Sequence, residues 1–149
     1  MVIISNDRGQ SIELRSVGYE FENSPDLWDS NWTNVEIQVQ DEANYWTTTN
    51  PFFSTSDWKE ISAWFETISN SNSPKWLELG FLEPNIEFVL REQTLGKEHV
   101  EFLVRLSQEC IPNFKAGVDQ VEYQFKKTKG QCLDISKCFL EEYEKFPRR

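Results

Sequence analysis

At 149 residues and 17.6 kDa the chain has the length of one ordinary domain, and it can bury about 70% of its unfolded surface without a metal or disulfide to help. Six Trp and eleven Phe within an apolar share of 38% exclude a disordered chain, even at a mean hydropathy of −0.60. With 15 Lys and Arg against 25 Asp and Glu, the net charge of −10 argues against nucleic acid or an anionic membrane as partner and favours a basic one.

Val2–Ile4 and Ile12–Leu14 flank Asn6-Asp7-Arg8-Gly9, which reads as a hairpin turn. A short strand is expected at 17–21. Val35, Ile37 and Val39 alternate with Glu36, Gln38 and Gln40, the period of a strand with one face on a core, and another short strand is expected at 45–48. Ser54 to Asp57 supply caps for a helix over 56–69, whose stripe is Trp58, Ile61, Trp64, Phe65 and Ile68. Strands follow at 76–82, 86–91, 99–106 and 121–126, with Gly96 in a turn. A closing helix runs from about Leu133 to Lys145, with Cys132, Ile135, Ser136, Phe139, Leu140 and Tyr143 on one face and Pro147 beyond its end. Strands in runs, interrupted by helices, predict a single α+β domain spanning 1–149: an antiparallel sheet with two helices packed on one face. Trp64 and Phe65 belong in its core.

Catalytic constellations are missing. The single histidine, His99, has no nucleophile motif to serve, and no Gly-flanked Ser or Cys is present. Cys110, Cys132 and Cys138 do not have zinc-site spacing, since Cys132 and Cys138 point about 240° apart around a helix. The six glycines are scattered singly, so no phosphate-binding loop is read, and the acids at 26–31 lack calcium-loop spacing. Neither catalysis, a metal, a cofactor nor a small-molecule ligand is expected. The N-terminus lacks the basic start and apolar run of a secretory signal, and an odd number of cysteines fits a reducing compartment, so the expected location is the cytoplasm.

Charge is unevenly placed. From Ser16 through Trp58, 43 residues hold eight acids and no Lys or Arg, whereas from Lys115 onward eight bases outweigh six acids. Trp28, Trp32, Tyr45 and Trp46 lie in the acidic stretch, and aromatic anchors with a charged rim are what protein interfaces use. Trp28 sits in a polar loop and is expected outside the core. The candidate partner-binding residues are therefore Asp26, Trp28, Asp29, Glu36, Asp41 and Glu42. Glu36 points away from Val35 and Ile37 and is expected to be open to solvent.

Several strings then acquire meaning by their order: Tyr19-Glu20-Phe21, Asp29-Ser30-Asn31-Trp32 before Val35-Glu36-Ile37, Phe52 and Thr55 ahead of Trp64, Phe81-Leu82-Glu83-Pro84-Asn85-Ile86-Glu87-Phe88, and Phe146-Pro147-Arg148. From about Ile12 to Arg148 the chain resembles the bacterial WapI-like immunity proteins, partners of wall-associated YD-repeat polymorphic toxins. Thr33 departs from the pattern, which has an aliphatic residue there. The resemblance implies a cytoplasmic inhibitor that binds the C-terminal domain of a cognate toxin and performs no chemistry. A basic, nuclease-type toxin would suit the acidic surface, by steering and by competition for its groove. Two other classes compete: a self-associating scaffold domain, which would form an oligomer without a partner, and an enzyme of unspecified type.

Overall fold

A computed structural model of the chain describes residues 1–149. The elements are β1 (Val2–Ser5), β2 (Gln10–Tyr19), β3 (Trp32–Asp41), β4 (Asn44–Ser54), α1 (Thr55–Ser69), β5 (Glu78–Leu79), β6 (Ile86–Leu90), β7 (Val100–Ser107), β8 (Gln120–Lys127) and α2 (Lys129–Lys145). The class is α+β, and every strand pair is antiparallel. Where one sheet was expected there are two, each four-stranded and in sequence order: β1-β2-β3-β4 and β5-β6-β7-β8. The long helix α1 separates the two meanders, so each pairs with itself. Neither helix is long and apolar enough to cross a membrane.

Both helices begin with a capping box. Ser54 and Asp57 bond reciprocally at the start of α1, and Thr128 and Gln131 do so at the start of α2. The second box starts α2 four residues earlier than its apolar stripe suggests. The helices cross where small residues let their backbones approach: Ser62 Oγ donates to the Ser136 carbonyl at 2.8 Å, and Ser136 Oγ returns a bond to the Ser62 carbonyl at 2.7 Å. Alternation in the strands turns one face of each sheet onto this helix pair. Trp58 of α1 meets Phe53 of β4 at 5.1 Å between ring centroids, while Phe65 reaches Phe102 of the second sheet at 5.1 Å and stacks on Phe139 of α2. One core of 28 residues results, with Trp64 4% and Phe65 0% exposed.

Three local features bear on the surface. The segment 17–21 is not a separate strand but the continuation of β2 past a bulge between Ser16 and Gly18, where Gly18 has φ 146°. Glu142 of α2, fully buried, holds that bulge: it accepts from the Ser16 N–H at 2.7 Å, from Lys145 Nζ at 2.5 Å and from the Met1 ammonium at 2.7 Å. Burial would raise this carboxyl, yet the donors outweigh burial and hold it below its ordinary value. Thr33, also fully buried, donates to the Phe53 carbonyl at 2.7 Å and accepts from the Trp58 indole N–H at 3.0 Å.

Candidate partner-binding surface

The β2–β3 loop is built around two side chains that bond its own backbone. Asp26 Oδ1 accepts from the Trp28 N–H at 2.7 Å and more weakly from the Asp29 N–H at 3.4 Å, nucleating a short 3-10 turn at Asp29–Asn31. Asn31 Nδ2 donates to the Leu27 carbonyl at 2.6 Å. With the polar groups turned inward, Leu27 and Trp28 are left 70% and 63% exposed at the tip. The Trp28 ring is held edge-on against Trp32 at 6.0 Å.

The C-terminal segment locks this loop from behind. Arg149 donates to the carbonyls of Phe21, Glu22 and Ser30 at 2.8, 2.6 and 2.5 Å, and its guanidinium lies 3.8 Å over the Tyr19 ring. Tyr19 donates in turn to the Pro147 carbonyl at 2.5 Å and packs edge-on against Phe146. To the extent that these contacts hold the tip in its bound shape, binding through it would cost less ordering.

Acids gather around it. Partial burial, and then repulsion from Asp29 and Glu83, raise the Glu20 carboxyl above its ordinary value, which places Glu83 of the β5–β6 loop within electrostatic reach of the β2–β3 loop. None of Glu20, Asp26, Asp29 or Glu83 has a Lys or Arg within salt-bridge distance.

The other expected site residues lie elsewhere. Glu36 faces away from the core but is only partly open to solvent: its side chain is 19% exposed, and Arg15 on the neighbouring strand grips it with two bonds at 2.9 and 3.0 Å. The hydrogen bonds from Arg15 lower its carboxyl despite some burial. Asp41 is half-buried and paired with Lys115 at 3.5 Å. Glu42 is exposed, in the β3–β4 turn, with φ 55°. By strand rise the ten residues of β3 separate this turn from the tip by about 30 Å. Asp26, Trp28 and Asp29 therefore form one locality, which Glu36, Asp41 and Glu42 do not join. Leu27 and Glu20 belong to it and were readable beside Trp28 in the sequence; Glu83 arrives only through folding.

His99 lies exposed just ahead of β7. Cys110 and Cys132 are buried, and burial pushes the Cys132 thiol up to about 11 and raises the Cys110 thiol further. No group of three or more His, Cys, Asp or Glu side chains is arranged to hold a metal ion.

The most developed surface on this α+β domain is thus an apolar tip in an acidic rim, the form of a protein-interaction module. The family model of the WapI-like immunity proteins matches residues 3–147, and the chain belongs to that family. Searches of curated proteins and of solved structures return no significant match. An immunity role and a toxin as protein partner follow from the family.

Proposed function

We propose that this protein neutralises the C-terminal domain of a cognate toxin in the cytoplasm by occluding it, without catalysis, and that Leu27 and Trp28 are its anchors. The observation that carries this reading is the exposure of two large apolar side chains on a loop whose nearby acids, Glu20, Asp26, Asp29 and Glu83, have no Lys or Arg within salt-bridge distance. The complementary surface would be basic with an apolar pocket, which suits a toxin that must itself hold phosphate. Surface acids then steer the encounter, and the ring supplies lifetime.

Kinetics against the cognate toxin domain test both halves. Trp28→Ala is expected to speed dissociation and cost about 2 kcal/mol or more, roughly thirtyfold in affinity. A combined Asp29→Lys and Glu83→Lys change is expected to slow association and flatten its salt dependence, with dissociation little altered. Asp26 is unsuitable for this test because it caps the loop. Should Trp28→Ala bind with native affinity, the toxin-binding surface lies elsewhere.

A further inference from the structure

A second feature lies at the opposite end of β2. A half-open groove of about 680 Å³ runs between the β1–β2 turn and the corner where β8 enters α2. That volume falls within the roughly 300–1,000 Å³ of small-molecule sites. Its walls bring together Arg8 from the β1–β2 turn, Arg91 from the end of β6, His99 from before β7, and Lys126 and Lys127 from the end of β8. Asp7 and Glu101 are the acids that line it, and Glu101 is already engaged with Lys126 at 3.2 Å.

Arg8, Arg91 and Lys127 have no carboxylate within salt-bridge distance, in a chain that carries 25 of them. Arg91 and Lys127 are moreover half-buried. A cation that has lost part of its hydration gains from a charged acceptor, and here none is supplied by the protein. A neighbouring hollow adds Lys97, Lys129 and Gly130 at the start of α2, with Glu98 as the one acid in its lining. The N–H groups of Lys129 and Gly130, in the first helical turn, have no partner inside the helix and lie at the positive end of its dipole.

We propose that this groove binds a compact oligophosphate, either inorganic or the phosphate chain of a nucleotide. Several cations converge on one small volume, which calls for several negative charges on one small ligand. The guanidinium forks of Arg8 and Arg91 match phosphate oxygens in pairs. The two apolar lining residues, Phe102 and Phe125, are 0% and 1% exposed, so neither offers a face on which a base or a peptide side chain could stack. The ligand is therefore recognised by its charge, and its base, if it has one, stays outside. This site is independent of the toxin reading: nine residue steps of β2 place it about 30 Å from the Trp28 loop.

Calorimetry on the full chain with inorganic tripolyphosphate, ATP and hexaglutamate tests the proposal. Tripolyphosphate and ATP are expected to bind one to one with similar affinity, both weakening as salt rises, and hexaglutamate is expected to bind much more weakly. Arg91→Gln and Lys127→Gln should each lower tripolyphosphate affinity about tenfold or more with native melting. Arg8→Gln, in an exposed turn, gives the same reading if either of the others fails to fold. Trp28→Ala should leave phosphate binding unchanged. Absence of binding, or affinity unaltered in Arg8→Gln, would overturn the proposal. Hexaglutamate binding as tightly as tripolyphosphate would also overturn it, and would assign the groove to an acidic protein segment.

Discussion

Thr33 stands where the resemblance led to an aliphatic residue, and hydrophobicity alone expects Thr33→Val to stabilise a buried site. The structure predicts a loss. Thr33 is 0% exposed, and its hydroxyl is the acceptor for the Trp58 indole N–H as well as a donor to the Phe53 carbonyl. Valine keeps the shape and strands both partners. The buried indole N–H, left without an acceptor, costs about 1–3 kcal/mol. The Phe53 carbonyl has a second lone pair and sits in the β3–β4 ladder opposite Thr33, so its loss is smaller, about 0.5–1.5 kcal/mol. An added methyl group returns about 0.8 kcal/mol. The net loss is then about 0.7–3.7 kcal/mol, or roughly 1–15 °C in melting temperature for a domain of this size. Thermal and denaturant unfolding of Thr33→Val, Trp58→Phe and the double variant measure it. Trp58→Phe removes the stranded donor, so the double variant should lose clearly less than the two single losses added together. A Thr33→Val protein that melts at or above the native temperature would refute the reasoning.

Two further predictions concern the supports of the loop. Glu142→Gln is expected to cost about 1–3 kcal/mol, less than a fully enclosed ion pair because Lys145 is 46% exposed. Because the folded-state pKa of Glu142 is depressed, its contribution is present above the ordinary glutamate pKa of about 4.3 and lost as pH falls through the lower folded value, so Glu142→Gln should flatten the acid limb of a stability–pH curve. Arg149→Ala frees three carbonyls of the 21–30 segment and should raise amide exchange there while leaving α1 unchanged. Toxin dissociation should also quicken, since the Trp28 loop would then have to be ordered on binding.

Alternation and helical stripes were enough to locate most strands and both helices, because each side chain's face is decided within a few residues. They do not say which strand lies beside which, so the division into two sheets was invisible. Gly18 interrupts the period in β2, and this made one bulged strand look like two. The start of α2 was present as Thr128 and Gln131, but the apolar stripe begins later and drew the boundary with it. Trp28 was legible because a large ring in a polar loop has no local partner. That Glu36 is already engaged was not legible, because its partner, Arg15, is 21 residues away and becomes a neighbour only through the β2–β3 register. Asp41 and Lys115 are likewise joined only by folding, Lys115 coming from a turn between β7 and β8. The groove was wholly hidden: its cations come from separate segments, and a net charge of −10 says nothing about where the positive charges meet.

Charge on this molecule is arranged along β2, with unpaired acids around the Trp28 loop at one end and unpaired cations at the other. If the toxin domain is basic, as proposed, it would be drawn to the first end and repelled by the second, so the field would favour one docking orientation as well as a faster encounter. Filling the groove with an oligophosphate would add several negative charges about 30 Å from the loop. At physiological ionic strength the Debye length is about 8 Å, so over that distance the added field is screened to a few per cent, whereas at about 0.01 M salt the screening length matches the separation. Saturating tripolyphosphate should therefore leave the toxin association rate unchanged at physiological salt and raise it at low salt. The comparison is stopped-flow association of the native and Arg8→Gln proteins, with and without tripolyphosphate at both salt concentrations, the variant accounting for any tripolyphosphate held by the toxin itself. An effect of equal size at both would mean that the two ends communicate through the structure, along β2 or through the Glu142 contact to Ser16, and not through the field.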